Sequence, residues 1–118
     1  MSTVRPTRER KPRIAVVGGL TRATREWTRA GIEIGAMVEH HDGIASGARA
    51  PALAAIVRRA DVVVAIMVPN SHNAIAIVRR VAASHGRVVL CVKHLRPSAL
   101  GAVVADALAL ARTARLAG

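Results

Sequence analysis

Residues 61–68 read DVVVAIMV, and after Asp61 every position is apolar. A strand with no polar alternation must be covered on both faces, which is the condition of a central strand in a parallel sheet. Three further β-branched runs share the chain with it: RIAVVGG at 13–19, EIGAMVEH at 33–40 and RVVLCVK at 87–93. In EIGAMVEH, Ile34, Ala36 and Val38 alternate with Glu33, Met37 and Glu39, the pattern of a half-exposed strand at a sheet edge.

Helical spacing fills the intervals. LTRATREWTRAG predicts a helix capped by Thr21 and stopped by Gly31. A second helix opens near Pro51, a residue suited to a first turn, with Leu53, Ile56, Val57 and Ala60 as its apolar face. In the third, Ser71 is the N-cap, Ala74, Ile75, Val78, Val81 and Ala82 face inward, and Gly86 is the stop. The last follows Pro97 and carries Leu100, Val103, Val104, Ala107, Leu108 and Ala111 on one stripe. Strict alternation of strand and helix predicts a three-layer α/β domain around a four-stranded parallel sheet, Rossmann-like or flavodoxin-like. Strand order 2-1-3-4 places the two most continuously apolar runs, the first and third, at its centre.

A chain of 118 residues accommodates one such domain, expected over 13–118, behind a basic arm at 1–12 with little to bury. Trp27 is the sole aromatic residue, so Val, Ile, Leu and Ala must make the core. Cys91 is the sole cysteine, which excludes an intrachain disulfide and a Cys-rich zinc cluster; its place within RVVLCVK predicts a buried thiol. No signal peptide and no spanning segment is seen, so a cytoplasmic protein without a membrane partner is expected. The formal charge of +11 at pH 7 has two readings, a polyanionic partner or an arginine-rich coding bias with no function attached.

Ligands of open α/β sheets bind beyond the carboxyl ends of the strands, where strand order reverses. Those ends carry Gly18-Gly19, His40-His41-Asp42-Gly43, Asn70-Ser71-His72-Asn73 and Lys93-His94-Leu95-Arg96, and hence every histidine except His85. The opposite ends carry Arg13, Glu33, Asp61 and Arg87, which read as ordinary surface. The asymmetry predicts a polar cleft. Gly18 and Gly19 permit close backbone approach before a helix N-terminus, without completing a dinucleotide fingerprint or a P-loop. Ser71 and Asn73, Lys93 and Arg96, and Arg49 from the Gly-rich loop at 42–50 are the further candidates for holding an anion. Against each stands an ordinary alternative: a tight turn at the glycines, a helix cap at Ser71, solvated charge at Lys93 and Arg96.

With these residues in place, the chain resembles a bacterial family catalogued as domain of unknown function two-three-two-five. The resemblance rests on IAVVGG, EHHDG, RRADVVVAIMVPNSHNAIAIVRR, Gly86 and the strand ending in Lys93, spanning roughly residues 13 to 100. It implies a small Rossmann-like domain and marks Gly18, Gly19, His40, His41, Gly43, Ser71, His72, Asn73 and Lys93. It implies no activity. Relative to longer members the chain has a basic leader and lacks a sizeable extra domain.

Three functions fit these readings. The first is a binding module for a small anionic, phosphate- or nucleotide-containing ligand. The second is a metal or haem site, sensory or catalytic, built from His40, His41, His72 and His94, with zinc, iron or another divalent ion as the cofactor. The third is nucleic-acid association through the basic arm and Arg22, Arg25 and Arg29. The scarcity of acid–base groups beyond the histidines argues against a hydrolase, and Met37, Leu110 and Leu116 leave a homodimer open.

Overall fold

A computed structural model describes residues 11–19, 21–68 and 70–117. Four strands, β1 (Arg13–Val17), β2 (Met37–His41), β3 (Val62–Ile66) and β4 (Val88–Val92), alternate with four helices. The helices are α1 (Thr24–Glu33), α2 (Arg49–Arg59), α3 (His72–His85) and α4 (Leu100–Ala117). The sheet is parallel throughout and ordered β2-β1-β3-β4. This is the α/β class and strand order expected from the apolar runs, with β3 buried at every position.

The two-residue period of β1 divides the core. Ala15 and Val17 point to one face and pack with Val63 against Leu53 and Val57 of α2 and Val78 and Val81 of α3. Ile14 and Val16 point to the other and meet Trp27 of α1 and Leu100, Val104 and Ala107 of α4. Trp27, 1% exposed, is the largest buried side chain of an otherwise aliphatic interior.

The ends of α3 match the sequence reading. Ser71 Oγ accepts from the Ala74 N–H at 3.0 Å, and Gly86 terminates the helix in the left-handed region at φ 63°. Its buried stripe is Ala74, Ile77, Val78, Val81 and Ala82; Ile77 takes the inward position expected of Ile75, which sits one step round the helix and is half-buried.

The first helix departs further. It does not stop at Gly31. Gly31 lies inside α1 where a side chain would run into Val38 of β2, so its role is to let helix and strand approach. The stop is Gly35, at φ 75°. Its N–H donates to Ile32 O at 3.1 Å and the Ala36 N–H reaches back to Gly31 O at 2.9 Å, the paired bonds of a Schellman cap. Residues 33–36 are therefore helix end and turn, β2 begins at Met37, and Ile34 is 39% exposed while Ala36 and Val38 are buried. At the other end, Thr21 opens a single 3-10 turn (Thr21–Ala23), and the cap position of α1 falls to Ala23. Cys91 is exposed rather than buried: β4 is an edge strand, and the α3-side core covers it only as far as Val89.

Candidate functional site

All four strand ends open on the same side of the sheet, and their polar residues sort into two groups with different duties. The first group stitches the β2–α2 connection onto the start of α3. Ser71 Oγ, besides capping α3, donates to Gly43 O at 2.7 Å. Asn73 Nδ2 donates to Ala45 O at 3.1 Å. Asn70 spans the gap between the central strands. Its Nδ2 donates to Ile66 O at 2.7 Å and Val17 O at 3.2 Å, and its Oδ1 accepts the Ser71 N–H at 2.8 Å. Gly43, at φ 85°, has no room for a side chain because the Asn70 amide occupies the place of its Cβ. Arg49 is engaged as well: Nη2 meets Asp42 Oδ1 at 2.6 Å and Nε donates to Ile44 O at 3.1 Å. The Gly-rich loop at 42–50 is thus pinned at several points, with Ala45 buried in the core.

His40 and His41 belong to the same framework. His40 Nε2 donates to Gly18 O at 2.6 Å, since a carbonyl can only accept, which leaves Nδ1 to accept the Thr24 hydroxyl at 2.8 Å. The ring lies 6.0 Å from that of Trp27. The Gly43 N–H donates to His41 Nδ1 at 3.0 Å, within a residue only 7% exposed. Both imidazoles are therefore neutral Nε2–H tautomers, and desolvation by burial lowers the pKa of each below 6.5. Asp42 stands 3.8 Å from His41 Nδ1 and directs the same oxygen to Arg49 and the Ile44 N–H.

His72 is exposed at the first turn of α3, and His94 is exposed on the β4–α4 loop. The four histidines do not converge. Among the described residues no group of three or more His, Cys, Asp or Glu side chains is placed to hold a metal ion. His40 spends both ring nitrogens on Gly18 and Thr24, so a metal or haem iron bound there would have to displace one of these hydrogen bonds.

The second group surrounds a cavity of about 500 Å³ between the β1–α1 turn and the β4–α4 loop, on the α1 side of the sheet. Gly19, Arg22 and Glu26 come from one wall, His94 and Arg96 from the other, and Trp27 lies between them. Gly19 takes φ 81°, a conformation suited to glycine. The side chains of Arg22, Glu26, His94 and Arg96 are exposed and make no hydrogen bond or ion pair among the described residues. The indole N–H of Trp27 is buried, finds no acceptor among the described residues, and lies beside Gly19. Of the anion-site candidates read from the sequence, Gly19 and Arg96 line this cavity. Gly18 adjoins it and holds His40, Lys93 is exposed outside it, and Ser71, Asn73 and Arg49 serve the loop framework.

Sequence reasoning passed over Arg22, Trp27 and Asn70 as site residues. A signal existed for the first two, because an arginine three positions after a strand-ending glycine and the sole aromatic residue one turn further both fall at the head of α1. Asn70 has no such signal; its partners are brought to it by the sheet.

The order of these features along the chain decides its family: the double glycine after β1, the histidine pair and glycine after β2, Ser-His-Asn heading α3. Residues 13–107 match a family described as an uncharacterized protein conserved in bacteria (DUF2325). The chain belongs to this family. The match takes in all four strands, so the loop framework and the cavity both lie within the family domain. No curated protein and no solved structure matches the chain. Among the described residues no helix is long and apolar enough to cross a membrane. The basic arm lies outside the described residues except for Lys11 and Pro12; Arg22, Arg25 and Arg29 are exposed around the start and outer surface of α1.

Proposed function

We propose that this protein is a binding module for a small anionic ligand, held in the cavity between the β1–α1 turn and the β4–α4 loop. The observation that carries the reading is the pair of guanidiniums, Arg22 and Arg96, brought from opposite walls to one cavity of about 500 Å³ with no side-chain partner for either among the described residues. That volume falls within the range of about 300–1,000 Å³ usual for small-molecule sites. Two unengaged arginines suit phosphates, phosphate esters, nucleotides and carboxylates alike, through charge-assisted hydrogen bonds. His94 adds a further ring nitrogen, and the head of α1 directs backbone N–H groups to the same end. A ligand oxygen reaching Gly19 would also come to the side of the Trp27 indole N–H, which has no acceptor among the described residues.

Isothermal titration of the full chain with inorganic phosphate, AMP and octanoate tests the reading, with an Arg22→Gln/Arg96→Gln double variant beside it. Both side chains are exposed, so the variant should fold normally. At least one anion is expected to bind saturably, and the double variant should weaken it about 100-fold, the order of two lost charge-assisted contacts. Failure of all three to bind at millimolar concentration, or equal binding by the variant, would overturn the proposal.

A further inference from the structure

The lower part of the cavity differs in chemistry from its rim. Among the described residues, Ile66, Val68, Leu95 and Pro97 form it together with the Trp27 ring, and no Ser, Thr, Asn, Gln or Asp side chain contributes. The described side chains of this part offer no partner to the hydrogen-bonding edge of a nucleobase or the hydroxyls of a sugar, whose recognition needs polar groups set into the wall. Val68 is 44% exposed although it follows directly on the buried β3, so the core does not account for its position. Among the described residues the rim carries two guanidiniums, Arg22 and Arg96, against one carboxylate, Glu26, a surplus of one positive charge beside His94. Glu26 would oppose a second negative charge on the ligand.

On the reading that this cavity binds an anion, we infer that its ligand is a hydrophobic monoanion: one singly charged oxyanionic head at the Arg22–Arg96 rim and an apolar body against Val68, Leu95 and Trp27. The apolar wall contributes affinity by leaving water, while the arginines orient the head. Nucleotides and free phosphate fall outside this class. A fatty or branched-chain carboxylate and a phosphodiester with apolar substituents both fall within it.

Trp27 makes the test direct. It lines the cavity and is the sole Trp of a chain without Tyr or Phe, so the intrinsic fluorescence comes from this one residue. The full chain is titrated with octanoate, dibutyl phosphate, AMP and inorganic phosphate, and the same series is run on Val68→Asp and Arg96→Gln. Octanoate or dibutyl phosphate should shift the Trp27 emission saturably, bind at least about tenfold more tightly than AMP, and lose about tenfold in affinity in each variant. Which of the two binds better identifies the head group. AMP or inorganic phosphate binding as tightly as the hydrophobic anions would refute the apolar-body inference and leave the anion site standing. Hydrophobic anions that bind equally well to Val68→Asp would place the body elsewhere and refute it too. Silence from every anion would remove the anion site itself.

Discussion

Replacing Asn70 tests whether the framework at the strand ends is as tightly cross-linked as its geometry indicates. Asn70→Ala removes one donor shared by the Ile66 and Val17 carbonyls and one acceptor for the Ser71 N–H. Three hydrogen bonds at about 0.5–1.5 kcal/mol each would total about 1.5–4.5 kcal/mol. The side chain is only partly buried, so water recovers some of that, and the lower half of the range, about 2 kcal/mol, is expected. Asn70→Asp is the sharper perturbation. It keeps the acceptor for Ser71 but turns the donor into a carboxylate oxygen facing two carbonyls. At neutral pH it should therefore cost more than Asn70→Ala despite its near-identical shape. The new carboxyl would be held above its ordinary pKa in the folded state, so the deficit should shrink as the pH falls and the group protonates, its O–H then donating to a carbonyl. Urea unfolding followed by Trp27 emission at pH 7 and pH 5 measures both effects. A loss below about 0.5 kcal/mol in Asn70→Ala, or an aspartate variant no worse than alanine at pH 7, would refute the cross-link argument.

The paired histidines set a pH dependence. Because burial lowers the pKa of both His40 and His41, the unfolded chain takes up protons more readily than the folded one. Their contribution is fully present above about pH 6.5 and is lost as the pH falls through the folded-state values. Urea midpoints across pH 7.5 to 5 should decline, and His41→Asn should flatten the decline; a profile unchanged by that substitution would exclude His41 as a source. Gly43→Ala combines positive φ with a collision against Asn70 and should cost about 2–4 kcal/mol in the same assay, whereas Gly19→Ala, whose Cβ would meet only ordinary contacts, should cost about 1–2 kcal/mol. Equal losses at the two glycines would contradict the close packing at Gly43. Cys91 should react stoichiometrically with an aqueous thiol reagent in the native state, within minutes; protection until unfolding would contradict its exposure on β4.

The amino-acid sequence by itself determined the strands, most of the helices and the order of the sheet. These follow from short-range regularity: continuous apolar character in β1 and β3, a helical stripe and caps in α3, alternation at the edge. It also located the polar end of the sheet, because the parallel topology gathers every residue after a strand to one side. Where it erred locally, a nearby competitor decided. Gly35 offered a better left-handed cap than Gly31, and Gly31 was needed for the approach of α1 to Val38. What only the tertiary structure decided is which polar residues at that end are consumed and which are left over. Ser71 meets Gly43 across 28 positions and Asn70 meets Val17 across 53, separations no local pattern encodes. Those contacts turn Ser71, Asn73, Arg49 and the two adjacent histidines into framework. They leave Arg22, Arg96, His94 and Glu26 around the cavity, because among the described residues no partner group from another segment comes within bonding distance of their side chains.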